Sequence, residues 1–94
     1  MSKLKNWLLA NNFTLESYNY YNLYSIKINS YKNEEGEVSV YLNVGLFNNK
    51  HIDIFVSKVM TDDDFNNEIT LFETDNEDEV DKYWILDTIK FLKK

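Results

Sequence analysis

The chain has no cysteine, no proline, no arginine and no glutamine, two glycines and one histidine. Without cysteine there is no disulfide scaffold, no thiolate zinc site and no cysteine nucleophile. His51 has neither a second His nor a Cys to form a ligand set. Its place at the start of a strand, after a turn, reads as a surface side chain. Gly36 and Gly45 form no phosphate-cradling loop. Excess positive charge is also absent: ten Lys stand against sixteen Asp and Glu, for a formal net charge of −6. That argues against a general nucleic-acid binder, because the phosphate backbone selects net positive charge. No strictly apolar run approaches the length of a membrane span. The opening MSKLKNWLLANN has two Lys, but its apolar segment stops at Asn11 and Asn12, too soon for a secretory signal. The expectation is a soluble, cytoplasmic protein with no cofactor, no metal and no membrane or direct nucleic-acid partner.

What is present supports folding. In 94 residues, 44% are hydrophobic and 16% aromatic, enough for one domain with a real core. Residues 2–12 predict a short helix: Ser2 caps, Leu4, Trp7 and Leu8 share a face, Asn11 and Asn12 suit a left-handed terminus, and Phe13 anchors it. Residues 18–31 alternate, with Tyr20, Tyr24, Ile26 and Ile28 on one face. Residues 37–47 place Val38, Val40, Leu42, Val44 and Leu46 on one face, Asn48 and Asn49 make a turn, and residues 50–60 return with Ile52, Ile54 and Val56 inward. Residues 67–74 read as a fourth strand. A final helix, capped by Asp75 or Asn76, runs to about residue 92. Its first turn is acidic, its last is basic, and Trp84, Ile85, Thr88, Ile89 and Leu92 form its core stripe. Asp78 and Lys82 are spaced as an i, i+4 pair on it. The predicted fold is α+β: a four-stranded antiparallel sheet with N- and C-terminal helices on one face, in the order α-β-β-β-β-α, with Trp7 and Trp84 as helix-to-sheet anchors.

Charge is unevenly distributed. Residues 1–32 carry four Lys and one acid; residues 33–94 carry six Lys and fifteen acids. Residues 62–81 hold ten acids and no base: Asp62, Asp63, Asp64, Glu68, Glu73, Asp75, Glu77, Asp78, Glu79 and Asp81. One reading is a solvated loop plus an ordinary acidic helix start, with helix capping explaining four or five of the ten. The other is an acidic surface aimed at a basic groove, with Asp62, Asp63, Asp64, Glu68, Glu77, Asp78, Glu79 and Asp81 as carboxylate acceptors for Lys and Arg. Extended, the stretch would carry about one charge per 6.6 Å. Duplex DNA carries one per about 1.7 Å, so the run must fold up to match it.

The other face of the sheet is unusually aromatic for a solvent face: Ser39, Tyr41, Asn43, Phe47, Asp53, Phe55 and Ser57. It predicts either a small secondary core or a self-association patch centred on Tyr41 and Phe55 that gives a homodimer. Residues 62–73 place Asp62, Asp64, Asn66, Glu68 and Glu73 at five calcium-loop ligand positions. However, Asn67 stands where the loop needs Gly, and the preceding segment reads as a strand rather than a helix. No Ser-His-Asp spacing is present, and the expectation is a protein that is not an enzyme.

In size, element order, absence of Cys and dense acidic stretch, the chain resembles the small acidic proteins that bacteriophages encode against host nucleases, including anti-CRISPR proteins and DNA mimics. The resemblance implies a non-catalytic inhibitor that engages a basic nucleic-acid-binding groove of a partner such as a nuclease, in a host cytoplasm. It carries no motif and transfers no residue roles. The alternatives are an immunity protein or antitoxin against a basic toxin, and a self-associating adaptor that uses the aromatic face.

Overall fold

A computed structural model describes residues 2–34, 36–60 and 66–94. In chain order these form helix α1 (Ser2–Ala10), strands β1 (Thr14–Ser17), β2 (Tyr21–Asn33), β3 (Gly36–Phe47), β4 (Ile52–Met60) and β5 (Asn66–Thr74), a single 3-10 turn (Glu77–Glu79) and helix α2 (Lys82–Leu92). The strands lie in the order β1-β2-β3-β4-β5, every neighbour antiparallel. The α+β class and the two terminal helices match the sequence reading, but the sheet has five strands and not four. The additional strand is β1. The strand expected over 18–31 begins at Tyr21 instead; residues 18–20 form a reversal in which Tyr18 N–H donates to Tyr21 C=O at 2.9 Å, and Thr14–Ser17, expected in no strand, folds back on Asn22–Ser25. All four β1 residues are exposed, so no apolar alternation marked it. Tyr20 sits in the reversal at 76% exposure instead of sharing the inward row with Tyr24.

The core follows the period-two pattern. Tyr24, Val44, Ile54 and Phe72 lie abreast across β2 to β5, and Ile26, Leu42 and Val56 form a neighbouring row that ends on exposed Ile69 at the sheet border. Leu4 and Leu8 of α1 and Ile85 and Ile89 of α2 join the same buried cluster, so both helices cover this one face. Trp7 and Trp84 are its half-buried flanks, and the Trp84 and Phe72 rings lie 6.1 Å apart. A buried Leu or Ile contributes about 1.5–3 kcal/mol on this scale, which is what holds two helices too short to persist alone.

Local chemistry ends the elements. At the end of α1, Asn12 takes a left-handed φ of 71°, Asn12 N–H donates to Leu9 C=O and Phe13 N–H donates to Leu8 C=O, with Phe13 buried behind them. The start of α1 is capped from far along the chain: Leu4 N–H donates to Glu77 Oε1 at 3.0 Å. The Ser2 side chain expected in that role lies outside the described residues.

The last helix is shorter than predicted. Asn76 caps the 3-10 turn by accepting from Asp78 N–H, Val80 is extended, and Asp81 then caps α2 by accepting from Tyr83 and Trp84 N–H. Val80 packs against the core from this break. Asp78 and Lys82 therefore share no helix face. Among the described residues, no helix is long and apolar enough to cross a membrane.

In the β3–β4 turn, Lys50 and not Asn48 or Asn49 takes the positive φ, at 73°. A Cβ there is strained, so Lys50→Gly is expected to stabilise the protein by about 0.5–1 kcal/mol despite the freer unfolded chain. Urea denaturation with an unchanged m-value checks this, and a loss of stability would refute it.

Candidate functional site

The helices leave the second sheet face uncovered, and all five strands shape a concavity of about 340 Å³ on it. Its floor is polar and closed. Asn43 on β3 is 3% exposed. Its Oδ1 accepts from Ser25 Oγ on β2 at 2.7 Å, and its Nδ2 donates to Ser57 Oγ on β4 at 3.0 Å. Further Nδ2 contacts reach the carbonyls of Phe55 at 3.3 Å and Tyr41 at 3.4 Å. Three strands are thus tied through one amide. This satisfies the donors and acceptors that make a buried Asn costly when unpaired. Tyr41 and Phe55, the residues expected to mediate self-association, line this floor half-buried.

Along one end of the face runs an aromatic ladder. Tyr18 stacks on Tyr21 with centroids 4.8 Å apart, Tyr21 stacks on Phe47 at 5.0 Å, and Phe47 tilts against His51 at 5.8 Å. Each step crosses one strand or its adjoining turn, so the ladder continues the sheet's own spacing. The Phe47 ring lies over Gly45, where an added Cβ would meet Phe47 Cε1 at 3.3 Å. Absence of a side chain at 45 is what lets the ring close down.

Carboxylates surround these rings. Glu16 accepts from Tyr18 Oη at 2.7 Å; this bond and the carboxylate's charge push the phenol's pKa up. Glu16 and Glu68 border the concavity from its two edge strands, and none of its lining residues is basic. Beyond the ladder, His51 Nδ1 lies 2.7 Å from Asp75 Oδ1 and Nε2 lies 3.4 Å from Glu73 Oε1. A neutral ring has one N–H, so only the imidazolium donates to both. The Asp75 hydrogen bond is the main cause of a pKa raised above 6.5; partial burial opposes it, and the Glu73 bond and both charges reinforce it. Asp53, paired with Glu73 across β4 and β5, has a buried Oδ1 with no hydrogen-bond partner. Its pKa is raised first by burial, then by the charge of Glu73.

The raised His51 stabilises the fold at low pH and loses that contribution as pH climbs through its folded pKa. The raised Asp53 acts in the same direction, losing stability as pH rises from its unfolded to its folded value. Glu77 runs the other way. Burial raises it, but the N-terminal ammonium, the hydrogen bond from Leu4 N–H and the charge of Lys82 outweigh burial and lower it. Its contribution is lost as pH falls through the lowered value. The thermal midpoint is therefore expected to peak on the acid side of neutrality, at about pH 5–6. Asp53→Asn is expected to raise the midpoint at pH 7, and His51→Gln to flatten the decline between pH 6 and 8. A midpoint that rises steadily from pH 5 to 8 contradicts the assignment.

The residues proposed from sequence are spread over several environments. Glu68 borders the concavity. Glu77 caps α1, Glu79 accepts from Thr74 Oγ1 at 2.9 Å, and Asp81 caps α2, so each of these three has a structural task. Asp78 is exposed, and its side chain accepts no hydrogen bond among the described residues. Asp62, Asp63 and Asp64 lie outside the described residues. The calcium reading of 62–73 fails where it can be examined: Asn66–Thr74 is a strand and supplies no exiting helix. Among the described residues no group of three or more His, Asp or Glu is arranged to hold a metal.

Sequence reasoning missed the roles of Glu16, Tyr18, Tyr21, Glu73 and the His51–Asp75 pair on this face. The odd-numbered row 39–57 gave the only signal, since it named the face without naming its edges. No protein-family model, curated protein or solved structure matches the chain.

Proposed function

We propose that this is a small acidic, non-catalytic binding protein whose uncovered sheet face captures a basic region of a protein partner. The observation that carries the reading is the combination on one face. A hydrogen-bonded Asn43 floor lies beside stacked Tyr and Phe rings, Glu16 and Glu68 border the concavity from its two edges, Glu73 reaches His51 at the end of the ring stack, and the concavity has no basic lining residue. Aromatic faces and carboxylates are the two groups that hold Lys and Arg, through cation–π contact and charge-assisted hydrogen bonds. An inhibitor of a nucleic-acid-processing enzyme fits this chemistry, because the basic groove such an enzyme offers to phosphates also accepts carboxylates. A basic toxin neutralised by an immunity protein would be held by the same groups.

Affinity capture from a lysate of the source cell, at low and at high salt, tests this. The expected result is a basic nucleic-acid-binding protein retained at low salt and released at high salt. Retention of the protein's own copies alone, insensitive to salt, would shift the reading to self-association through Tyr41 and Phe55.

A further inference from the structure

The two free borders of the sheet are built differently. β1 covers only Asn22–Ser25 of β2, which among the described residues leaves Ile26–Lys32 as open edge, and that edge carries Lys27 and Lys32. Lysines on an edge strand deter further strand pairing. On the other border, among the described residues, β5 pairs with β4 alone, through eight of its nine residues with a bulge at Leu71, and contains no lysine and no proline. It carries Glu68 and Glu73 instead, and exposes Ile69 at 61% and Leu71 at 39%. The stretch Asn66–Thr70 ahead of the bulge is regularly paired on its inner side, presents Ile69 and lacks lysine and proline, and such an edge is a template for one more strand of opposite charge.

We propose that β5 is a docking edge for an extended basic segment of the partner, which adds antiparallel or parallel to β5 as a sixth strand. The proposal rests on the function proposed above and specifies how the partner is held. The register of β5 on β4 sets the segment's chemistry. Ile69 lies opposite Val56, on the helix-covered face, whereas Glu68 and Thr70 lie opposite Ser57 and Phe55, on the open face. Side chains alternate along a strand, so an apolar residue beside Ile69 places its two neighbours on the open face. A Lys or Arg there meets Glu68 across the new pair at about 5 Å, the spacing at which opposite charges stabilise a sheet. The matching pattern is basic–apolar–basic, and it continues the acidic open face. Charge selects this occupant over a second β5: two chains of net charge −6 would bring two acidic edges together.

The test is a titration of the ¹⁵N-labelled full chain with a blocked eight-residue peptide of alternating Lys and Val. A peptide of the same sequence, N-methylated at every residue so that neither edge can donate, serves as control. The expected result is saturable shifts centred on residues 67–71, slowed amide exchange at alternate positions of β5, and at least tenfold weaker binding of the N-methylated peptide. Ile69→Lys, at an exposed position that tolerates lysine, is expected to weaken binding tenfold with an unchanged circular dichroism spectrum. Shifts confined to Tyr21, Asn43 and Phe55, with equal affinity for both peptides, would overturn edge docking while leaving the acidic-face reading standing. Absence of binding by either peptide would overturn it as well. So would concentration-dependent assembly of the protein alone through β5, which would assign the edge to a second copy.

Discussion

Replacing Asn43 with aspartate is expected to cost about 3 kcal/mol of stability at pH 7, although the two side chains have nearly the same shape. Asn43 Nδ2 is the donor that serves Ser57 Oγ and the Phe55 and Tyr41 carbonyls. Aspartate supplies no donor when ionised, and it would place a charge against those oxygens at a position 3% exposed. Protonation restores one donor, so the deficit is expected to shrink toward about 1–2 kcal/mol near pH 4. Urea unfolding of both proteins at pH 7 and pH 4.5 measures it. A variant within about 0.5 kcal/mol of the parent at pH 7 would mean that the amide does not tie the strands together. The functional consequence follows directly: without this floor, the Tyr41 and Phe55 rings lose the backbone positions that hold them on the open face.

The second large effect concerns binding. Reversing Glu16, Glu68 and Glu73 together to Lys is expected to weaken capture of the basic partner at least a hundredfold, which is about 2.7 kcal/mol. The three positions are on strands β1 and β5, at exposed sites. The circular dichroism spectrum is therefore expected to stay unchanged, although the midpoint falls somewhat with loss of the Glu73–His51 contact. Asp87→Lys, exposed on α2 and so on the helix-covered side, is the control for a single reversal such as Glu68→Lys and is expected to alter affinity by less than about threefold. Surface-plasmon measurements at two salt concentrations separate the association-rate part of the effect from the dissociation-rate part. Equal losses in Glu68→Lys and Asp87→Lys would reduce the acidic face to bulk charge.

Much of the fold was legible because hydrophobic period and burial coincide. Leu42, Val44, Ile52 and Ile54 alternate in sequence and are fully buried in space, and Leu4, Leu8, Ile85 and Ile89 repeat at helical spacing on two helices that meet the same face. Asn12 and Phe13 announced the end of α1 through the conformational tolerance of Asn and the need for an apolar anchor. β1 was illegible for the converse reason: Thr14, Leu15, Glu16 and Ser17 bury nothing, and the strand exists because it completes hydrogen bonds along β2. The break at Val80 was hidden because Glu77, Asp78, Glu79 and Asp81 all favour a helix start, and sequence does not show which of two successive caps, Asn76 or Asp81, opens the long helix.

The candidate site divides along the same line. The row from Ser39 to Ser57 identified the open face, because its aromatic content broke the expected polar alternation. The partners that complete it come from residues distant in sequence, Glu16 from one border and Glu68 from the other, with His51 meeting Asp75 across 24 positions. Local spacing carries no information about such pairings. Conversely, the acids most conspicuous in sequence, Glu77, Glu79 and Asp81, are occupied in the fold by Leu4, Thr74 and the first turn of α2.

Carboxyl footprinting of the protein, free and bound to its captured partner, tests the central claim most directly. Water-soluble carbodiimide labels accessible carboxylates, and peptide mass analysis reports each site. The account predicts that Glu16, Glu68 and Glu73 become protected in the complex while Asp87 stays as reactive as in the free protein. Protection of Asp87 with Glu16, Glu68 and Glu73 left reactive would place the partner on the helix-covered side and contradict it.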